Sequence, residues 1–255
     1  MTDYSHSRLQ VFEQCPFRYK AIYIDHDFRV SRNVEGFMGD QVHQALRSLH
    51  ERADIGQVPV LEELLELFER NWVRSWTDDV IINKPSMTQE DYKMAGKYML
   101  GRYYQRYHPF DQILTVGLET DERLALPDGN RYYIRIDRLG RVDQTYYVCD
   151  YKTGQKGVTK QEAVFDHQLP MYALWVERSH KDADQVVMRW HSLATNQEVD
   201  VEAQDDILLA LEQEIVRRIS RIERTRTFPT KRSGLCSYCL HQDICPEFRG
   251  LLRHG

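Results

Sequence analysis

Three of the five cysteines lie close together near the C-terminal end of the sequence. Cys236, Cys239 and Cys245 form the spacing C-x2-C-x5-C, and Pro246 follows directly. Thiolates this close together are typical of a metal site, because they are strong ligands for zinc and iron. The fourth ligand must come from a distant part of the chain, and Cys15 is the candidate. We therefore expect residues 15 and 234–248 to meet, which would join the two ends of the fold.

The spacing of the cysteines leaves the identity of the metal open. Four thiolates hold either a tetrahedral zinc ion or an iron–sulfur cluster, and His241 is a conceivable zinc ligand if Cys15 is not used. An odd number of cysteines argues against a framework of disulfides. Cys149 lies inside a predicted strand, and we expect it in the hydrophobic core.

The composition is that of a soluble globular enzyme. Hydrophobic residues make up 42% and charged residues 29% of the 255 positions, which excludes a disordered or fibrous protein. We find no apolar run of the ~20 residues that a membrane helix needs. The opening MTDYSHSRLQ lacks a secretory pattern, so we expect a cytoplasmic protein without membrane contact. Because the net charge is -5, binding to nucleic acid would need a local basic patch.

The periodicity of apolar residues predicts a mixed α/β chain. Thr88 and Asp91 resemble a capping box at a helix start. Helices are predicted over 7–24, 36–52, 59–76, 88–107, 160–178 (bent or begun near Pro170) and 205–225, and strands over 113–126, 132–139, 145–153 and 186–193.

The two predicted strands 132–139 and 145–153 carry an acid–acid–lysine set. Asp150 and Lys152 point to the same face of one strand, ~6–7 Å apart, because side chains alternate. The short turn between the strands allows Asp137 to lie beside Asp150. Two converging carboxylates suit Mg²⁺ or Mn²⁺, and a lysine beside the ion can stabilise charge on a phosphate. A lone Asp-x-Lys is most often a surface ion pair. The apolar neighbours of this set, Ile134, Ile136 and Val148, distinguish it from that case.

Several segments resemble the RecB-like branch of the PD-(D/E)XK nucleases. These are IDR at 136–138, DYKTG at 150–154 and QLPMY at 168–172. SRLQVFEQCPFRYKAIY at 7–23 and GLCSYCLHQDIC at 234–245 are similar to the ends of its iron–sulfur members, which include CRISPR-associated exonucleases and AddB-type nucleases. The resemblance implies one nuclease domain over 1–255 with a restriction-endonuclease-like core, a central mixed sheet flanked by helices. It also implies an N-terminal helical block, a helical insertion at 36–110 and a C-terminal cysteine cluster.

The resemblance also implies roles for individual residues and two cofactors. Asp137, Asp150, His43 and the backbone carbonyl of Tyr151 would bind Mg²⁺ or Mn²⁺. Lys152 would be catalytic, and Glu119 matches an acidic position for which Glu122 is a competitor. Cys15, Cys236, Cys239 and Cys245 would hold a [4Fe–4S] cluster.

Two further features concern the surroundings of this site. Gln168 and Tyr172 are four residues apart and share a helical face, where the resemblance implies that they help to hold lysine and DNA. Alternatively, Tyr172 is a core residue and Gln168 a helix cap. Arg135 stands where many relatives have glycine, and it would narrow the pocket or contact a phosphate.

The stretch from Arg217 to Arg232 is strongly basic, with Arg217, Arg221 and Arg224 at helical spacing. Such a stripe either tracks DNA phosphates or is a solvated helix face. We expect a metal-dependent exonuclease that prefers single-stranded DNA. The alternatives are a catalytically silent DNA-binding or scaffold module of the same fold and a zinc-stabilised enzyme of another hydrolytic class. A helicase partner would supply any unwinding, because no G-x-x-x-x-G-K-[ST] motif occurs.

Overall fold

The computed structural model describes residues 2–29 and 32–249. The helices are α1 His6–Gln14, α2 Pro16–Tyr23, α3 Val34–Asp54, α4 Leu61–Ser75, α5 Gln89–Tyr107, α6 Lys160–Val164, α7 Leu169–Ser179, α8 Asp205–Arg224 and α9 Pro246–Arg249, with a 3-10 turn at Gly234–Tyr238. The strands are β1 Asp3–Tyr4, β2 Arg32–Asn33, β3 Val80–Ile81, β4 Leu114–Leu118, β5 Glu122–Ala125, β6 Arg131–Ile134, β7 Arg138–Val142, β8 Thr145–Lys152, β9 Gln185–Ser192 and β10 Gln197–Glu202. This mixture confirms the predicted α/β class.

The chain forms two compact units. One contains Met1–Ser31, Arg123–Tyr133 and Glu212–Gly255, and the other contains Arg32–Glu122 and Ile134–Leu211. The single nuclease domain over 1–255 with an insertion at 36–110 stays a prediction. No helix in the described part of the chain is long and apolar enough to cross a membrane.

The larger unit is built on a five-stranded mixed sheet. Its strand order is β10-β9-β8-β7-β4, in which β8 and β9 are parallel and the other pairs antiparallel. The central strand β8 is buried along most of its length, since helices and neighbouring strands cover it. Arg138 pairs with Cys149 on β8 and with Leu118 on β4. Glu119, Asp137 and Asp150 are each adjacent in sequence to one of these paired residues. The register therefore places the three side by side across the neighbouring strands.

Three helices of the larger unit, α3, α4 and α5, enclose a hydrophobic core. Val42, Leu46, Phe68, Trp72 and Leu100 are almost completely buried in this core. The apolar positions of α3 and α4 recur every three to four residues, so each helix turns one face inward. The predicted capping box at α5 is confirmed, since Thr88 Oγ1 accepts from the Asp91 amide and the Asp91 carboxylate accepts from the Thr88 amide.

The smaller unit contains the sheet β1-β6-β5, with β1 parallel to β6, together with α1, α2 and the C-terminal part of α8. Tyr4, Leu9, Phe12 and Tyr19 form buried contacts within it. The rings of Phe12 and Tyr19 pack edge to face with centroids 5.3 Å apart.

The single helix predicted over 7–24 is wrong. The structure has two helices, α1 and α2, divided at Cys15, which is extended at φ -161° and ψ 105°. Proline disfavours helical geometry in the residue before it, so Pro16 ends the first helix and begins the second. In the same way the helix predicted over 160–178 is two helices, α6 and α7, with Pro170 in the first turn of the second.

Two of the predicted strands are also each divided. The strand predicted over 113–126 is β4 and β5, and that predicted over 132–139 is β6 and β7. The first division falls at Glu119, whose φ of 45° is incompatible with a continuing strand. The strand β10 was not predicted from the sequence.

Candidate active site

Three side chains of the larger unit converge on one point. His43 lies on α3, Glu119 directly follows β4, and Asp137 directly precedes β7. One nitrogen or oxygen atom from each lies within 4.8 Å of the others. The two acidic residues are held by their backbones, because the Glu119 amide donates to the Asp137 carbonyl at 3.0 Å. We refer to His43, Glu119 and Asp137 as the HED group.

Hydrogen bonds orient the members of the HED group. The Nδ1 atom of His43 lies 3.6 Å from Glu119 Oε1 and 3.5 Å from Asp137 Oδ1. Its Nε2 donates to the carbonyl of Tyr151 at 2.9 Å, and the amide of Tyr151 donates to Asp137 Oδ2 at 2.7 Å. The backbone of Tyr151 on β8 therefore positions both the imidazole and one carboxylate.

The charges of the HED group stabilise one another. Burial alone would lower the pKa of His43, but the carboxylates of Asp137 and Glu119 outweigh burial and raise it to about 10. Burial raises the pKa of Glu119, whereas His43 and Arg135 lower it, and the net shift is downward. Without a cation, the imidazole is therefore a positive charge between two carboxylates.

The HED group fits a divalent cation. Two carboxylates and one imidazole can act as ligands for Mg²⁺ or Mn²⁺. Of these ligands, Mg²⁺ prefers the carboxylate oxygens. Ligating histidines donate their second N–H to a carbonyl or carboxylate, and His43 Nε2 already does so. The group faces an open cavity of about 370 Å³ that Asp40, Gln44, Arg47 and Arg135 also line.

Asp150 and Lys152 form an ion pair at the end of β8, close enough to Asp137 for its carboxylate to affect the pKa of both. Lys152 Nζ lies 2.7 Å from Asp150 Oδ2. Burial raises the pKa of Asp150 to about 6, although Lys152 opposes the shift. Burial alone would lower the pKa of Lys152, but nearby carboxylates, led by Asp150, outweigh it and raise that pKa. Lys152 therefore remains an ammonium at neutral pH.

The four predicted metal ligands do not all converge on one point. His43 and Asp137 lie in the HED group, whereas the carboxylate of Asp150 contacts Lys152 and the carbonyl of Tyr151 accepts from His43. Glu119 joins the group, while its competitor Glu122 is exposed at the start of β5. The catalytic and ligand roles of these residues stay predictions.

Gln168 and Tyr172 contact each other at the start of α7. Gln168 Nε2 donates to Tyr172 Oη at 3.0 Å. Tyr172 is buried, as the alternative assignment predicted, and Gln168 is the N-cap residue of α7, although its side chain makes no capping hydrogen bond. The role of the pair in holding lysine and DNA stays a prediction. Burial raises the pKa of Tyr172 to about 12.

Sequence reasoning missed Asp166. Its Oδ1 accepts from the amides of Gln168 and Leu169 at the start of α7, and its Oδ2 accepts from Trp190 Nε1 at 2.8 Å. Trp190 pairs with Asp150 across β8 and β9. Aspartate side chains often accept hydrogen bonds from backbone amides two or three residues on, and an aspartate just before a proline-containing helix start is the signal that would have identified it.

The smaller unit contains the four predicted cluster cysteines. Cys15, Cys236, Cys239 and Cys245 line one cavity, and each is a partly buried free thiol. They therefore fit a shared thiolate-bound group. The fifth cysteine, Cys149, is buried on β8 as predicted, and burial raises its pKa to about 12.

His241 is also buried beside the cysteine cavity. Its Nε2 donates to the Asp27 carbonyl at 3.0 Å. Among the residues that the structure describes, no three cysteine sulfurs lie within 4.8 Å of one another. A closed zinc site with Zn–S bonds of ~2.3 Å needs sulfurs ~3.8 Å apart. No three of the described thiols are thus as close together as a closed zinc site requires.

Two solved structures are similar to this chain to different degrees. A "Putative exonuclease" from Eubacterium rectale has a similar fold, with a TM-score of 0.54 and 14% identity over 93% of this chain and 86% of that chain. The protein SSO0001 is less similar, with a TM-score of 0.36 and 17% identity over 87% of this chain and 91% of that chain. No curated protein matches the sequence.

The family comparison covers nearly the whole chain. The sequence model of the PD-(D/E)XK nuclease superfamily matches residues 3–246, a range that includes the HED group, the Asp150–Lys152 pair and the four cluster cysteines. The match confirms the prediction of a hydrolase of the nuclease class. The chain belongs to the PD-(D/E)XK nuclease superfamily.

Proposed function

We propose that the protein is a deoxyribonuclease that hydrolyses phosphodiesters with Mg²⁺ or Mn²⁺, and that it acts as an exonuclease with a preference for single-stranded DNA. The observation that carries the proposal is the convergence of His43, Glu119 and Asp137 next to the Asp150–Lys152 pair. Superfamily membership over residues 3–246 supports it.

The HED group would hold the divalent cation. Such a cation supplies Lewis acidity, polarising a phosphoryl oxygen and lowering the pKa of bound water. On the protein side, Tyr151 keeps His43 and Asp137 in place through its carbonyl and amide. A fixed group of this kind needs little rearrangement when substrate binds.

Lys152 acts as a fixed positive charge. Because the pKa of Lys152 is raised, its ammonium stabilises the negative charge that develops on the phosphate and does not take the proton of the attacking water. Asp150 holds the ammonium at 2.7 Å. The Gln168–Tyr172 pair would place further hydrogen-bonding groups beside the strand.

We also propose that the protein cuts from DNA ends and that it belongs to the RecB-like branch of the superfamily. The name of the Eubacterium rectale protein supports an exonuclease. The segments at 136–138, 150–154 and 168–172, which resemble the RecB-like branch, support a substrate of single-stranded DNA ends. We also propose a cytoplasmic protein to which a separate helicase supplies single strands.

Digestion of DNA that is labelled at its ends, or internally where the strand is circular, tests this function. Linear and circular single-stranded DNA and linear duplex are incubated with Mg²⁺, Mn²⁺ or Ca²⁺, using wild type, Asp150→Asn and Lys152→Ala. We expect metal-dependent loss of linear single strands only, at least ~100-fold slower in both variants, with circular dichroism unchanged. Binding without any cleavage by wild type would instead indicate a silent DNA-binding module.

We further propose that the four cysteines of the smaller unit hold a [4Fe–4S] cluster. They line one cavity, and no three of the described sulfurs are as close together as in a closed zinc site, which supports a group larger than one zinc ion. Anaerobically purified protein should be brown, with broad visible absorbance that dithionite bleaches. Cys15→Ser should lose the iron, whereas Cys149→Ala, which alters the thiol buried on β8, should retain it. Stoichiometric zinc in place of iron would contradict the assignment.

A further inference from the structure

Three arginines on α8 form an unpaired basic surface. Arg217, Arg221 and Arg224 are exposed and make no ion pair or side-chain hydrogen bond within the described residues. They line one shallow groove together with Ser220 and Thr225. We call this groove the α8 arginine groove.

A neighbouring arginine on the same helix behaves differently. Arg218 is largely buried, and its Nε and Nη2 donate to the Glu13 carboxylate at 2.6 and 2.8 Å. One face of the helix thus carries an arginine that contacts another part of the fold, and another face carries the three exposed arginines. Exposure of the three is not a general property of this segment.

The three free arginines repel one another. Like charges three and four residues apart on a helix destabilise it by a few tenths of a kcal/mol per pair. The closest acidic residue in sequence, Glu223, instead receives hydrogen bonds from Tyr4 and Asn130. An anion bound in the groove would relieve this repulsion.

We infer that the α8 arginine groove binds consecutive phosphates of a DNA strand without reading its sequence. Seven residues of helix place Arg217 and Arg224 ~10 Å apart along the axis. Spread over that length, the three guanidinium groups can each contact a different phosphate of one strand. The inference rests on the proposed function. The arginines alone would suit any polyanion, including an acidic lipid surface, and the proposed nuclease activity is the reason to choose DNA.

The salt dependence of binding tests the inference. Fluorescence anisotropy of labelled single-stranded oligonucleotides of two unrelated sequences is measured in EDTA, which prevents cleavage, between about 50 and 300 mM salt. The variant R217Q/R221Q/R224Q should bind both sequences on the order of 100-fold more weakly at 0.1 M salt. The slope of log K against log salt should fall by about two, since each contact to a single strand contributes ~0.7.

A matched variant controls for net charge. R70Q/R74Q/K181Q removes the same three charges from exposed positions of the larger unit and should leave the slope unchanged. Arg218→Gln should lower the melting temperature, because it breaks the contact with Glu13, and should also leave the slope unchanged. Circular dichroism checks that each variant is folded.

The outcomes separate this inference from the proposed function. Wild type that neither cuts nor binds DNA would overturn both. If wild type cuts DNA but R217Q/R221Q/R224Q has an unaltered slope of log K against log salt, the inference about the groove is overturned and the proposed function is not. The groove would also be overturned if the triple variant kept its DNA affinity but lost binding to vesicles containing phosphatidylserine.

Discussion

Glu119 is shared between Arg135 and His43 through its two different oxygens. Arg135 donates to Oε2 from Nε at 2.9 Å, and its Nη2 lies 2.8 Å from the same atom. The other oxygen, Oε1, lies 3.6 Å from His43 Nδ1. The guanidinium thus holds the carboxylate so that one oxygen faces the HED group. Arg135 is therefore a positioning residue for Glu119 in this arrangement.

We predict that Arg135→Ala weakens Mn²⁺ binding about tenfold, measured by calorimetry or by the EPR signal of free Mn²⁺. Loss of an outer partner that orients a metal ligand typically costs 10–100-fold in affinity. The side chain of Arg135 is 59% exposed, so water screens its repulsion of the cation, and the loss of orientation dominates. Arg135→Lys keeps the charge without the planar fork and should be intermediate. Tighter Mn²⁺ binding by Arg135→Ala would show that repulsion dominates.

Asp137 has a structural role and a charge role that two substitutions separate. In Asp137→Asn the side-chain oxygen can still accept from the Tyr151 amide, so we expect the free energy of unfolding to change by less than ~1 kcal/mol while Mn²⁺ binding is lost. Asp137→Ala leaves that amide without its partner and should cost a further ~1–3 kcal/mol. Urea unfolding and Mn²⁺ titration measure both effects. Equal stability of the two variants would contradict the role of the amide contact.

The raised pKa of His43 predicts how the stability of the metal-free protein depends on pH. The folded protein holds the imidazole proton up to pH about 10, whereas the unfolded chain releases it near 6.5. The folded state therefore binds more protons in this window, and the stability present below pH 6.5 is lost as pH rises through 10. The slope is at most ~1.4 kcal/mol per pH unit.

This pH effect is measured as a difference between two proteins. The free energy of urea unfolding in EDTA is determined from pH 6 to 10 for wild type and His43→Gln, so that other titrating groups cancel. Wild type should lose its advantage over the variant as pH rises. A difference that stays constant or grows with pH would contradict a cationic His43.

Asp166→Ala should destabilise the larger unit by ~1–3 kcal/mol, because it removes the acceptor of two backbone amides at the start of α7 and of the buried Trp190 indole. Asp166→Asn retains one oxygen and should lose less. Asp78→Ala, at an exposed aspartate of the same unit, should have almost no effect. Chemical unfolding provides the comparison, and equal stability of Asp166→Ala and Asp78→Ala would exclude this role.

The local patterns predicted what depends on neighbours in sequence. The helix α5 was predicted from its capping box, and the proximity of Asp137 and Asp150 from the short turn between their strands. By contrast, β10 lies at the edge of its sheet and has no buried residue, so Val199 and Val201 give it only a weak alternation. The division between β4 and β5 depends on the positive φ of Glu119. The sequence does not indicate this conformation, because the residue is not a glycine.

The assembly of the candidate site was less predictable, because it depends on tertiary contacts. The sequence could not indicate that the Tyr151 carbonyl would face His43, or that Lys152 would draw the carboxylate of Asp150 toward itself. Both follow from how α3 packs against β8 and from the burial of that strand. Similarly, the choice between Glu119 and Glu122 depends on which of them lies opposite Asp137 across β4 and β7.

The position of bound Mn²⁺ in a crystal shows whether His43, Glu119 and Asp137 together bind a divalent cation. Crystals soaked in Mn²⁺ should give an anomalous scattering peak within ~2.0–2.3 Å of His43 Nδ1 and of one oxygen from each carboxylate, and the peak should vanish in Asp137→Asn. A peak at another group of residues, or one that persists unchanged in Asp137→Asn, would contradict the account.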